Sequence, residues 1–140
     1  IGLADPQAQD VCLQSWQTYE RLGSPEGELA LAQAVVYLAL APKSNAVYTA
    51  YKAARAAARD TGSLMPPKHI LNAPTRMMKE IGYGAGYDYD HDAEDGFSGQ
   101  NYFPDGMKRP AWYLPPERGF ERELKKRIDY FAKLRSKRQT

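Results

Sequence analysis

The sequence has a single cysteine, Cys12, so no internal disulfide can form, and no signal-peptide pattern opens it. It has only two histidines, His69 and His91, and no Ser-His-Asp or Cys-His arrangement that would mark a nucleophilic site. No apolar run approaches the roughly 20 residues that span a bilayer. A phosphate loop of the form GxxxxGK(S/T) is missing, so these 140 residues hold no P-loop nucleotide site. The net charge of +2 is too small to demand a nucleic-acid partner. Together these absences exclude a disulfide scaffold, a membrane-spanning helix and a P-loop enzyme. They predict a cytoplasmic chain with no catalytic centre, metal site or cofactor of its own.

What is present is a long, polar, ring-rich stretch at residues 70–105. Eight of the sixteen aromatic residues fall within residues 83–113. Disordered segments are poor in such side chains, so the stretch is expected to be an ordered loop, each ring an anchor on a scaffold. Gly82, Gly84 and Gly86 do not make a dinucleotide fingerprint, because a helical pattern precedes them and a Tyr/Asp loop follows. Asp88, Asp90 and Asp92 alternate as in a calcium loop, but Ala93 stands at the sixth place and Gly99 at the twelfth, where glycine and a bidentate acid are needed. His91 adds one imidazole, a weak zinc donor set by itself. These acids are expected to cap turns or to pair with Lys and Arg.

The rest reads as helices. Asp5-Pro6 suits a helix start, Ala8, Val11, Cys12, Ser15, Trp16 and Tyr19 recur at helical spacing, and Gly23 offers a stop. Cys12 on that apolar face is expected to be an inert core thiol. Residues 25–41 form a second helix that is apolar nearly all round, with Leu29, Leu31, Val35, Val36, Leu38 and Leu40 among alanines. Such a helix is buried on all sides, either inside its own chain or against a second copy. A third helix is expected over residues 45–60, capped by Ser44 and stopped at Gly62, with Lys52, Arg55 and Arg59 as a solvated stripe. The Met65-Pro66-Pro67 connector divides the chain into a helical lobe, residues 1–62, and a C-terminal subdomain, residues 63–140. A short helix over residues 74–81, capped by Asn72 and ended by Gly82, and an amphipathic helix over residues 117–135 complete the pattern. The periodicity thus predicts an all-α fold.

Charge is polarised. Residues 117–140 carry nine Lys/Arg against four Asp/Glu, a balance of +5, and the remainder carries −3. Lys125, Lys126, Arg127, Lys133 and Arg135 are therefore candidate DNA contacts. Pairs such as Glu121–Lys125 and Glu123–Arg127 are expected to consume part of that charge. Leu29, Val35, Val36, Leu38 and Leu40 are the candidate oligomer interface.

The segments NAPTRMMKEIGYGAGYDYDHD and GQNYFPD, with IGLADPQA and LAQAVVYLALAPKSNAVY upstream, resemble the C-terminal region of the replication-associated recombination protein A family. These are AAA+ ATPases related to clamp-loader subunits and to the Werner-helicase-interacting ATPase. The resemblance covers the chain to about residue 131 and implies a fragment of a longer protein, in keeping with Ile1-Gly2-Leu3 as mid-protein sequence. It implies a helical bundle similar to clamp-loader collar domains, a homotetramer, and a parent ATPase whose ATP and Mg sit in a missing AAA+ core. It further implies work in DNA replication, recombination and repair, with single-stranded or forked DNA and single-stranded DNA-binding protein as partners, and a nucleoid-associated location. Three readings follow: a homo-oligomerisation and interaction domain, a DNA-binding accessory domain using the basic final helix, or a docking surface for another replication protein on the tyrosine-rich loop.

Overall fold

The computed structural model describes residues 1–93 and 95–138. The fold is all-α, with no strand among the described residues. Its helices are α1 Gln7–Leu22, α2 Glu26–Leu40, α3 Ala46–Asp60, α4 Arg76–Glu80 and α5 Glu121–Arg138, with short 3-10 turns at Gly2–Ala4, Lys68–Ile70 and Asp90–Asp92. No helix among the described residues is long and apolar enough to cross a membrane.

Helix ends follow local chemistry. The Asp5 carboxylate accepts the Gln7 N–H at 3.1 Å, satisfying one free donor at the start of α1. Gly23, at φ +65°, ends that helix. Ser44 Oγ accepts the Ala46 N–H at 3.2 Å and opens α3. Two starts differ from expectation. Thr75, not Asn72, caps α4, its hydroxyl accepting the Met78 N–H at 3.2 Å. Pro74 disfavours helical backbone at the residue before it, so the helix cannot begin upstream of it. Helix α5 begins at Glu121, four residues later than expected, because Gly119 at φ +54° breaks the helical path.

The chain forms two compact units. The first comprises Ile1–Ala54 and Trp112–Ile128, and the second comprises Arg55–Ala111 and the chain from Asp129 onward. In the first unit, α1 and α2 pack as a hairpin. Gly119 lies against the turn before α1: a Cβ there would fall 2.0 Å from the Ala4 carbonyl oxygen and 2.8 Å from Pro42 Cγ. The Phe120 N–H donates to that same carbonyl at 2.8 Å.

In the second unit the tyrosine-rich stretch is held mainly by polar bonds. The Gln100 side chain donates to the Gly86 carbonyl at 2.7 Å and accepts the Asp88 N–H at 3.1 Å. Asp90 accepts the Ser98 N–H at 2.7 Å, and these Ser98 bonds hold the Asp90 carboxyl below its usual range. The expectation that each ring is an anchor fails: Tyr87, Tyr89 and Tyr102 are each 42–54% exposed. Phe97 is an anchor, its ring centroid 4.9 Å from that of Phe131 on α5.

Gly119→Ala is expected to destabilise the protein by about 2–4 kcal/mol, because it adds a backbone clash to a left-handed residue. Urea unfolding followed by circular dichroism measures it.

Candidate functional site

Helix α2 turns its small residues inward. Gly27 and Ala34 are buried, and a Cβ at Gly27 would stand 2.7 Å from Tyr19 Cα, so α2 lies directly on the α1 backbone. Among the described residues the buried apolar core is Ala4, Ala8, Ala34 and Ala46, alanines without exception. Four of the six large aliphatics of α2 are exposed, Leu29 71%, Val35 66%, Val36 60% and Leu40 82%, while Leu31 and Leu38 are half-buried. Of the five candidate interface residues, only Leu38 is half-buried, lining a hollow with Ala8 and Val47.

Leu29, Gln33, Val36 and Leu40 follow one another at steps of four, three and four, the seam of a two-helix packing surface with one polar member. Beside it Val36, Tyr37, Leu40, Ala41 and Pro42 line a hollow of about 590 Å³. The Tyr37 hydroxyl donates to Asp5 Oδ2 at 2.7 Å at its edge, and that bond raises the phenol above its ordinary range. Helix α1 adds exposed Leu13, Trp16 and Leu22. Cys12, expected in the core, is exposed: it shares a face of α1 with buried Ala8 and Ser15 but lines the open hollow beside Ala8, Leu38 and Val47.

The basic residues of α5 are largely engaged. Lys125 pairs with Glu117, and Lys126 with Glu123 at 2.8 Å. Both carboxyls are held below their usual range by hydrogen bonds from those lysines. Arg127 lies 5.8 Å from the Phe120 ring centroid. Arg135 lies 5.1 Å from that of Phe97 with its Nε buried, and burial lowers its pKa. Lys133 is exposed. Neither expected helix pair forms. Glu121 is fully buried instead, accepting the Tyr113 hydroxyl at 2.8 Å through Oε1, and its Oε2 has no hydrogen-bond partner among the described residues. Lys125 reaches back past it to Glu117, and Arg127 sits over a ring.

Among the described residues no group of three or more His, Cys, Asp or Glu could hold a metal ion. Asp90 is turned to Ser98, Asp95 pairs with Arg138, and the His91 ring lies 4.9 Å from the Tyr89 ring.

Tyr113 yields a pH prediction. Burial first, and then the Glu121 hydrogen bond, push its phenol from the ordinary 10.0 up to about 12. A raised folded-state pKa contributes stability that is complete below the unfolded value and lost as pH climbs through the folded one. Tyr113→Phe is therefore expected to remove the latest-ionising phenolate in an ultraviolet titration. It should also flatten the fall in stability between about pH 10 and pH 12.

The family model described as MgsA AAA+ ATPase C terminal matches residues 1–132. Replication-associated recombination protein A of Coxiella burnetii is 50% identical over 141 residues, covering all of this chain and 32% of that protein. Its namesake in Escherichia coli K12 is 47% identical over 133 residues, covering 94% of this chain and 30% of that protein. ATPase WRNIP1 of Dictyostelium discoideum is 38% identical over 114 residues, covering 81% of this chain and 13% of that protein. The chain spans about a third of the length of the bacterial relatives. An all-α chain whose sequence matches that model along all but its last eight residues belongs to the MgsA AAA+ ATPase C-terminal family.

Proposed function

We propose that this chain is the self-associating domain of a longer AAA+ ATPase that works in replication-fork maintenance and recombination. The names of its relatives support the second half of that reading. The observation that carries the first half is the outer face of α2, where four large aliphatic residues are 60–82% exposed while Gly27 and Ala34 are buried. Burying a Leu or Val fully contributes about 1.5–3 kcal/mol, so covering these four yields on the order of 4–8 kcal/mol per copy. Two copies together reach roughly the 4–15 kcal/mol that association costs in lost freedom.

On this reading copies pair through α2 and build a homotetramer that positions motor units. ATP and Mg belong to the parent's AAA+ core, since this sequence holds no phosphate loop. Single-stranded or forked DNA and single-stranded DNA-binding protein are the partners of the assembly, in the cytoplasm at the nucleoid. The alternative, a DNA contact through α5, draws on the +5 balance of residues 117–140. It has less support, because Lys125, Lys126 and Arg135 already have partners within the chain.

Light scattering at tens of micromolar is expected to report a tetramer. Leu29→Glu with Val36→Glu should give a helical monomer, whereas Leu38→Glu should lower stability. A strict wild-type monomer, or a double variant that unfolds, contradicts the reading. Binding to forked DNA that falls with salt and with Lys133→Glu would favour the α5 alternative.

A further inference from the structure

Residues 81–107 contain five aspartates, one glutamate and no Lys or Arg. Within that stretch Tyr87, Asp88, Tyr89, Asp92 and Ser98, together with Arg138 of α5, line a cleft of about 480 Å³. Tyr87 is 48% and Tyr89 54% exposed, so both rings reach solvent at the cleft. Asp88 and Asp92 are exposed and make no ion pair among the described residues. Tyr102 adds a third half-exposed ring, its hydroxyl 3.4 Å from Ser98 Oγ.

This surface is wrong for nucleic acid. Aromatic rings serve as base platforms where cations hold the backbone, and here carboxylates would repel each phosphate. It suits a cation instead. A ring face attracts an ammonium or guanidinium through its quadrupole, and a neighbouring carboxylate supplies a charge-assisted hydrogen bond.

The same loop already receives cations from its own chain. Arg138 pairs with Asp95 and lies 5.9 Å from the Phe97 centroid, and Arg135 lies 5.1 Å from it. Ring and carboxylate come from the loop and guanidinium from the visitor. Tyr87, Tyr89, Asp88 and Asp92 set further rings and carboxylates beside the occupied pairing: the Tyr89 ring lies 4.9 Å from that of His91, Arg138 borders the cleft, and Asp88 and Asp92 make no ion pair among the described residues.

We propose that the cleft lined by Tyr87, Asp88, Tyr89, Asp92 and Ser98 docks a lysine- or arginine-bearing segment of another protein, the cation held by the Tyr87 and Tyr89 rings and the Asp88 and Asp92 carboxylates. The surface lies apart in sequence from the α2 seam and does not rest on the self-association reading.

The test uses the chain with a short fluorescent Arg/Lys peptide in a Gly/Ser background, its Glu counterpart, and a single-stranded oligonucleotide. Anisotropy should report binding of the basic peptide alone, with amide shifts confined to residues 87–98. Tyr87→Leu with Tyr89→Leu should weaken it about tenfold, as should Asp88→Asn with Asp92→Asn, while Tyr87→Phe with Tyr89→Phe should retain it. Light scattering of these variants should match wild type, which separates this proposal from the α2 interface. If the leucine pair unfolds, the wild-type amide shifts decide. The proposal is overturned by no peptide binding at low salt, by shifts elsewhere, by a preference for the oligonucleotide, or by binding that follows the aspartates but ignores the rings.

Discussion

Gly27 lies where a β-carbon would stand 2.7 Å from Tyr19 Cα, so α2 approaches α1 backbone to backbone. That contact sets the rest of the first unit. At that point only glycine fits on α2, against the backbone and ring of Tyr19, and the other buried residues of the two helices, Ala34, Ala8 and Ser15, are small as well. Leu29, Val35, Val36 and Leu40 of α2 are then left outside, while Leu31 and Leu38 are half-buried. Small residues at the contact and four large ones outside it leave an aliphatic seam in water.

An exposed seam of this kind carries a free-energy cost in water, and on the reading proposed above a second copy covers it. The 4-3-4 spacing of Leu29, Gln33, Val36 and Leu40 suits a helix of the same shape, which a second copy supplies by symmetry. Gln33 inside the seam limits the register, since its amide must meet a polar group or water when the surface closes. The basic residues of α5 are largely engaged by comparison. Helix α5 spends Lys125 and Lys126 on neighbouring glutamates and Arg135 and Arg138 on Phe97, so its apparent basicity is larger in sequence than on the surface.

Much of this was legible from residue order. Asp5, Gly23 and Ser44 mark helix boundaries through local bonds, and local bonds are what a sequence states most directly. The all-round apolarity of α2 was legible too, but not which side faces in, because an alanine stripe and a leucine stripe score alike as hydrophobic. Only the close approach at Gly27 separates them. Glu121 was misread as a surface partner of Lys125, since nothing near it in sequence reveals that Tyr113 folds back onto it. Gln100 reads as an ordinary loop residue, yet it ties the backbone at Gly86 and Asp88, over separations of 14 and 12 residues. Compact units built from separated stretches leave no local mark in composition.

The central claim is that a second copy covers the outer face of α2. Thiol labelling of Leu40→Cys in a Cys12→Ser background tests it most directly, because Leu40 is 82% exposed within one chain. The account predicts fast labelling at nanomolar protein and protection that grows with concentration into the micromolar range. Labelling equally fast at every concentration, in a protein that stays folded, would contradict it.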